Sequence, residues 1–201
     1  MSKFLAVDTS SRYLTVLAVN GEKKVLRHMT DCAMQHSKTL MGEVERAFTD
    51  AGLTPAECDF FAAVTGPGSF TGIRIGIAAA KGLAQGAGKP LVAITSFELL
   101  AYNVNSENFY TVIDAAHGNY YVCGFGAHGR VTLAPAFMNG AQVAALGAPL
   151  YGFEDLALPD YTRLDIGGCL YPAAVALRLR AGGEMRALYV KKPQAEEAGR
   201  C

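Results

Sequence analysis

Residues 4–11 read Phe-Leu-Ala-Val-Asp-Thr-Ser-Ser, an apolar run that closes on an aspartate and three hydroxyl side chains. The run predicts a short buried strand that ends at Asp8. Residues 13–19 predict a second strand. Asn20-Gly21 then gives a strong hairpin signal, because both central residues of a type I′ turn need positive φ. Residues 23–29 should form the third strand.

Helices and strands alternate through the rest of the first half. A helical pattern follows the third strand, with Gly52 as its C-terminal stop and one apolar face formed by Leu40, Val44, Ala47, Phe48 and Ala51. Thr54-Pro-Ala-Glu57 is a capping box. A buried strand over 60–64, a helix over 71–87, a strand over 91–94 and a helix capped by Thr95 complete the order β-β-β-α-β-α-β-α.

The second half repeats the opening pattern. Residues 110–114 read Tyr-Thr-Val-Ile-Asp, again an apolar run closed by aspartate, and aligning Asp8 with Asp114 also brings Val16 onto Val122. Helical patterns follow around residues 140–146 and 171–181. We therefore expect an α/β protein of two duplicated β-β-β-α-β-α lobes, residues 1–105 and 106–201, with the second abbreviated. The alternative is one mixed domain with two unrelated meanders.

Two such lobes resemble the actin-like (hexokinase-like ATPase) fold. In that architecture the first aspartate and its hydroxyl neighbours face a nucleotide phosphate and its magnesium, and the aspartate of the second lobe faces them from the other side. The resemblance makes Asp8, Thr9, Ser10 and Asp114 the residues expected to hold a nucleotide, as a working or a vestigial site.

The glycine-rich stretch at residues 66–76, Gly-Pro-Gly-Ser-Phe-Thr-Gly-Ile-Arg-Ile-Gly, matches neither phosphate-binding fingerprint. The spacing Gly-x-x-x-x-Gly-Lys is missing, and Gly72 comes one position late for Gly-x-Gly-x-x-Gly. The helix start could still attract an anion. The favoured interpretation is that the glycines allow a sharp turn and close helix packing.

The helix that follows is apolar over most of its circumference. Arg74, Lys81 and Gln85 form one narrow polar stripe, whereas Gly72, Gly76 and Ala80 recur at a spacing that lets another helix approach closely. One arc about Ile73, Ile77 and Ala84 and another about Ile75, Ala79 and Gly82 should each meet a neighbour. The sheet covers one arc, the sequence leaves open which, and a partner subunit is expected on the other.

Composition favours an ordinary globular chain. Hydrophobic residues make up 51% of the 201 residues, and the formal net charge is zero, which argues against nucleic-acid binding as the main role. Five cysteines without a C-x-x-C pair favour reduced thiols in a cytoplasmic protein, and no stretch is long and apolar enough to cross a membrane.

Several of these motifs together resemble the TsaB (YeaZ) family. They are Phe4-Leu-Ala-Val-Asp-Thr-Ser10, His36-Ser37, the stretch Gly66–Gly76 and Lys81-Gly-Leu-Ala84. Asp114-Ala-Ala-His-Gly118 is similar to the family's Asp-Ala-Arg-x-Gly hairpin, with Ala116 at the arginine position. The family is the dimerisation subunit of the bacterial machinery that makes threonylcarbamoyladenosine in tRNA.

The resemblance implies a non-catalytic scaffold with the actin-like fold. Its expected partners are a second copy when alone, a catalytic TsaD-like subunit, a TsaE-like ATPase, and tRNA only through the complex. No cofactor is expected for this chain itself, and ATP and magnesium belong to the complex. The first-lobe helices should form the interface, through Leu40, Met41, Val44, Phe48, Phe70, Gly72, Ile73, Gly76, Ile77 and Ala80.

Two other functions remain open, a free-standing actin-like ATPase and a metal-dependent peptidase. The four histidines, His28, His36, His117 and His128, never stand four residues apart, so the His-x-x-x-His metal motif of the catalytic relative is missing and no metal ligands are predicted. No catalytic residue is predicted either, because no serine lies in Gly-x-Ser-x-Gly. Nucleotide binding by the isolated chain would favour the ATPase, and bound metal would favour the peptidase.

Overall fold

The computed structural model describes residues 2–32 and 34–190, which form ten strands and five α-helices. The first half contains β1 (Lys3–Asp8), β2 (Leu14–Asn20), β3 (Lys23–Met29), α1 (His36–Ala51), β4 (Phe60–Val64), α2 (Phe70–Ala87), β5 (Leu91–Ile94) and α3 (Ser96–Ala101). The second contains β6 (Asn108–Asp114), β7 (Asn119–Gly126), β8 (Val131–Asn139), α4 (Gly140–Ala144), β9 (Leu150–Gly152), β10 (Tyr161–Arg163) and α5 (Ile166–Leu177).

The two halves have the same sheet topology. The first sheet has the order β3-β2-β1-β4-β5, and the second, counted from β8, has the order β8-β7-β6-β9-β10. In each, three antiparallel strands are followed by two strands parallel to the first. The predicted duplication is therefore confirmed. The second copy is the abbreviated one, because its last two strands have three residues each and no helix joins them.

Most element bounds agree with the sequence pattern. The strands of the first sheet and α2 lie within one residue of their expected positions, and the Thr54–Glu57 capping box forms around one 3₁₀ turn. The exception is α5, which begins at Ile166 under an Asp165 cap and not near residue 171. The strands β9 and β10 were not foreseen.

The strands β1, β2 and β4 of the first sheet are buried on both faces, which explains the continuous apolar run of β1. Because side chains alternate along a strand, Leu5 and Val7 pack toward α1 and α2, whereas Phe4 and Ala6 pack toward α5 and the second sheet. On the far side of the second sheet, a smaller core lies between that sheet and α4.

The two lobes exchange their last helices. The helix α3 follows the first sheet but packs on β6 and β7, and α5 follows the second sheet but packs on β1, β2 and β5. Tyr171 of α5 stacks against Phe4 at 6.3 Å between ring centroids, and the Lys24 Nζ lies 3.6 Å from the Tyr171 ring centroid. The shared core joins the lobes directly.

The chain after α5 also returns to the first sheet. The Gly182 N–H donates to the Leu91 carbonyl at 2.9 Å, and the Leu188 N–H donates to the Thr65 carbonyl at 2.8 Å. Between them, Met185 is buried in the core under α1 and α2. The strands of the two sheets fall on either side of residue 105, but the predicted second lobe of residues 106–201 contributes α5 and this segment to the first lobe. Residues 191–201 lie outside the described part.

Candidate functional site

The carboxylate of Asp8 lies at the end of β1 and is closed off from solvent. Its Oδ1 accepts hydrogen bonds from the Ser10 N–H at 2.8 Å and from the Ser10 Oγ–H at 2.7 Å. Asp8, Thr9 and Ser10 are each no more than 2% exposed. Burial raises the pKa of the Asp8 carboxyl above its ordinary value, and the two hydrogen bonds from Ser10 oppose that rise.

The glycine-rich loop is what covers these residues. The Ser69 N–H donates to the Ser10 carbonyl at 2.6 Å, and the Thr9 hydroxyl donates to the Gly72 carbonyl at 2.7 Å. A Cβ at Gly68 would lie 2.1 Å from the Ser10 carbonyl oxygen, and one at Gly72 would lie 2.0 Å from that of Thr9. Close packing is therefore the role of these glycines, as the sequence predicted.

The prediction that Gly72 and Gly76 let another helix approach is wrong. A Cβ at Gly76 would lie 2.5 Å from the Thr9 Oγ1, so Gly72 and Gly76 admit the β1–β2 connection of their own chain and not a second helix. One backbone N–H at the start of α2 already has a partner in the same loop, because the Gly72 N–H donates to the Ser69 Oγ at 3.2 Å. A bulky residue at Gly76 would therefore disturb the contact with Thr9. Its effect would not measure the strength of pairing with another subunit.

Asp114 occupies the equivalent place in the second lobe but is exposed. Its Oδ1 accepts the Ala116 N–H at 2.9 Å, which repeats the Asp8–Ser10 geometry. The Asp114 N–H donates to the Glu154 Oε2 at 2.7 Å. Burial, with a smaller contribution from the negative charge of Asp114, raises the pKa of Glu154 to about 7. No sequence pattern identifies Glu154, because it follows a strand, β9, that is too short to predict.

Contacts between the lobes form at Tyr13, just before β2. The Tyr13 hydroxyl accepts from Arg12 Nη2 at 3.1 Å, and Arg163 Nη2 lies 3.4 Å from the same oxygen. The Tyr13 ring packs edge-on against Phe153 at 6.3 Å. Arg163 and Phe153 of the second lobe therefore contact Tyr13 of the first lobe.

Replacing Asp8 with asparagine tests this description. The pKa of Asp8 is raised in the folded state, so the free energy of unfolding falls as pH rises from the ordinary carboxyl pKa toward the native pKa. Asparagine has no charge and removes this penalty. Its side-chain oxygen still accepts the hydrogen bonds from Ser10. We expect Asp8→Asn to have a higher thermal midpoint than the wild type at pH 7, and a smaller gain at pH 4. Scanning calorimetry at both pH values measures it.

Asp8→Ala is the control, because it leaves both Ser10 donors unpaired at a cost of about 1–3 kcal/mol. If Asp8→Asn is destabilised at pH 7 as much as Asp8→Ala, the carboxylate is stabilised as an anion and this description of the site is wrong.

The predicted partner interface lies on α1 and α2, and most of its side chains are buried in their own chain. The arc about Ile73 and Ile77 faces the sheet, which settles the assignment that the sequence left open. Six predicted interface residues point inward and border no surface groove: Leu40, Gly72, Ile73, Gly76, Ile77 and Ala80. These six are corrected to core positions. Met41 is 50% exposed and Phe70 is 43% exposed.

The outer face of the two helices carries two apolar grooves, of about 680 and 590 Å³. Met41, Thr54, Pro55 and Leu83 border both grooves. The predicted residues Val44 and Phe48 line the first groove. The second runs along small residues of α2: Ala79 and Gly82, which the sequence placed on the second arc, and Ala78 and Gly86, which it did not name. We call this surface the α1–α2 outer face. Pro55 and Leu83 were not predicted.

Phe70 belongs to a separate cluster at the start of α2. The Arg74 guanidinium lies 3.8 Å from the Phe70 ring centroid, and its Nε donates to the Tyr189 hydroxyl at 3.0 Å. The Phe70 and Tyr189 rings are 5.3 Å apart. These contacts fix the end of the returning segment on α2. The sequence did not predict the role of Tyr189, because it lies far along the chain from α2 and belongs to no recognisable motif.

In the described ranges, 2–32 and 34–190, no group of three or more His, Cys, Asp or Glu side chains is arranged to hold a metal ion. Within the same ranges, no helix has both the length and the apolar character needed to span a bilayer.

Comparison with known proteins gives one matching family model and several similar sequences. A family model described as "TsaD: tRNA N6-adenosine threonylcarbamoyltransferase" matches residues 30–158. The chain is 32% identical to the tRNA threonylcarbamoyladenosine biosynthesis protein TsaB of Escherichia coli K12 over 123 residues, 59% of this chain and 53% of that protein. It is 30% identical over 157 residues to an uncharacterised protein of Mycobacterium tuberculosis H37Rv, 74% of each.

Structural comparison agrees at the level of the fold. YeaZ from Pseudomonas aeruginosa has a TM-score of 0.76 and 23% identity over 94% of this chain and 100% of that one. The chain spans about half the length of the curated TsaB relatives that it matches. The TsaD family model covers more than half of the chain, and three curated TsaB proteins are 32–34% identical to it over 58–59% of its length. The chain belongs to the TsaB (YeaZ) family, with its actin-like α/β fold.

Proposed function

We propose that this chain is a non-catalytic scaffold in the biosynthesis of threonylcarbamoyladenosine in tRNA. It pairs with a TsaD-like catalytic subunit through the α1–α2 outer face and forms a homodimer through the same face when alone. A TsaE-like ATPase joins the assembly. The chain contacts tRNA only as part of this complex, and the complex is cytoplasmic. The names of its relatives support the pathway, and its own surface supports the scaffold role.

Three helical glycines carry the proposal. Gly42, Gly82 and Gly86 border the two grooves, and a Cβ at any of them would meet no atom within 4 Å. Each costs about 1 kcal/mol relative to alanine in a helix. No contact among the described residues requires a glycine at these three positions. A second backbone that packs closely against the outer face would require it, since small residues let helices approach.

The grooves also have the composition of an interface core. Apolar side chains line most of both grooves, and Glu45 is the one charged residue among the residues that border them. Depletion of charge at the centre and a polar, solvent-accessible rim are typical of protein interfaces. Lys38, Arg46 and Lys81 are exposed on the same helices and are not part of the groove lining.

The geometry at Asp8 fits a nucleotide-magnesium site poorly. A carboxylate that coordinates magnesium must be ionised and reachable. The Asp8 Oδ1 already accepts two hydrogen bonds, and burial favours the protonated acid. We therefore propose that this chain needs no cofactor of its own, and that ATP and magnesium act elsewhere in the complex.

Reconstitution with the TsaD-like subunit of the same organism tests the proposal. The readout is threonylcarbamoyl transfer to tRNA. We expect transfer only when both subunits are present, and the chain alone should neither transfer nor hydrolyse ATP. Full activity of the TsaD-like subunit without this chain would contradict the scaffold role.

The alternatives have separate tests on the isolated chain. Sub-micromolar ATP binding by calorimetry, with turnover that Asp8→Ala abolishes, would favour the free-standing ATPase. Stoichiometric metal after purification, with peptide hydrolysis that a chelator stops, would favour the peptidase.

A further inference from the structure

Two methionines among the described residues have exposed side chains. Met34 is 93% exposed and Met41 is 50% exposed. Met29 and Met138 are half-buried against the cores on their side of each sheet, and Met185 is buried. A thioether must be reachable before an oxidant can convert it to the sulfoxide, so Met34 and Met41 are the methionines in this part of the chain most open to a peroxide.

The two exposed methionines differ in their surroundings. Met34 lies in the loop before α1 and borders neither groove of the α1–α2 outer face. Met41 borders both grooves, beside Pro55, Leu83 and the small residues of α2. A protein that covers the outer face would therefore enclose the Met41 side chain in an apolar contact, whereas it would leave Met34 in water.

The hydroxyl groups at these grooves already donate hydrogen bonds. The Thr49 hydroxyl donates to the Glu45 carbonyl at 2.9 Å, and the Thr54 hydroxyl donates to the Glu57 Oε2 at 2.7 Å. The Thr54 N–H donates to the same carboxylate oxygen at 2.9 Å. An oxygen atom added to the Met41 sulfur would be solvated in the free chain, but in a pair it would lose water and find neither hydroxyl free.

We propose that Met41 is an oxidation-sensitive switch for pairing through the α1–α2 outer face. The oxidant is a peroxide. With hydrogen peroxide, the Met41 sulfur attacks one oxygen, the O–O bond breaks, a sulfoxide forms and water leaves, so that sulfur loses two electrons and the peroxide gains them. The sulfoxide is polar and blocks pairing. This inference rests on the proposed function, because the switch acts only if the outer face is the pairing surface.

Hydrogen peroxide and two leucine variants of the full chain test the switch, because leucine is close to methionine in volume and has no sulfur. Dithiothreitol follows the peroxide in every sample, so reversible cysteine oxidation does not contribute. In Met34→Leu, which keeps Met41, peroxide should raise the dissociation constant for the second copy and for the TsaD-like subunit by at least about tenfold. In Met41→Leu, the matched control, peroxide should leave the dissociation constant within about twofold of that of the same untreated variant.

Sedimentation velocity measures pairing, and peptide mass spectrometry measures the sulfoxide at each methionine. Two further measurements on the wild-type chain remain decisive if Met41→Leu fails to pair. Methionine sulfoxide reductases for both sulfoxide epimers should restore pairing after oxidation. A TsaD-like subunit bound before the peroxide is added should slow oxidation of Met41 by at least about fivefold and leave the rate at Met34 unchanged, because the interface core excludes water.

Three results would overturn the switch and leave the proposed pairing intact. They are full conversion of Met41 with no change in the dissociation constant, an equal loss of pairing in treated Met41→Leu, and conversion of Met34 while Met41 stays reduced in the free chain. A chain that pairs with neither subunit before treatment would overturn the proposed function, and the switch with it.

Discussion

Replacing Gly72 with alanine will destabilise the chain by about 3 kcal/mol, at the upper end of typical overpacking costs. The new methyl group would lie 2.0 Å from the Thr9 carbonyl oxygen. Relief is difficult, because the neighbouring Thr9 hydroxyl donates to Gly72 and the Ser10 carbonyl accepts from Ser69. The loop would have to separate from the end of β1, and the start of α2 would move with it.

Gly82→Ala is the matched control on the same helix, and the expected sign is opposite. Gly82 is exposed and a Cβ there meets nothing within 4 Å, so alanine should stabilise the helix by about 1 kcal/mol. Urea unfolding followed by circular dichroism measures both. The chain should also carry Met41→Glu, so that self-association does not contribute. Equal effects of the two substitutions would show that the glycine loop is not packed against residues 9 and 10 as described.

Met41→Glu should abolish self-association at micromolar concentration. Met41 borders both grooves, and a carboxylate there would be buried without a partner in the pair. We expect the dissociation constant to rise at least about 30-fold, which corresponds to about 2 kcal/mol. Sedimentation velocity over a concentration series provides the measurement.

Met34→Glu is the control for that experiment. Met34 is 93% exposed and borders neither groove, so the same change of side chain should leave association unaltered. If Met34→Glu dissociates the pair and Met41→Glu does not, the copies meet through another surface.

The sequence predicted the architecture well because the signals of the first sheet are local. The apolar run ending at Asp8, the Asn20-Gly21 turn and the repeat at Asp114 each depend on a few neighbouring residues. The second lobe was harder. The strands β9 and β10 are three residues long, too short for alternation to show, and the start of α5 is hidden by two adjacent glycines after Asp165.

The candidate surfaces were harder still, because they depend on distant contacts. Both arcs of α2 are apolar, so hydrophobicity could not decide which faces the sheet. Ile73 and Ile77 are longer than Ala79 and Gly82, and they fill the space under the helix. The glycines at 72 and 76 were correctly interpreted as sites of close packing, but the contact is with Thr9, 63 residues before Gly72.

Hydrogen exchange on the chain with and without the TsaD-like subunit, at a concentration where sedimentation shows the free chain to be monomeric, tests the central proposal most directly. The proposal predicts that the partner slows exchange in residues 41–56 and 78–87, which form the α1–α2 outer face, and leaves β8 and α4 unchanged. The same protection should be lost when the chain carries Met41→Glu. Protection confined to the second lobe, with α1 and α2 exchanging as in the free chain, would contradict the account.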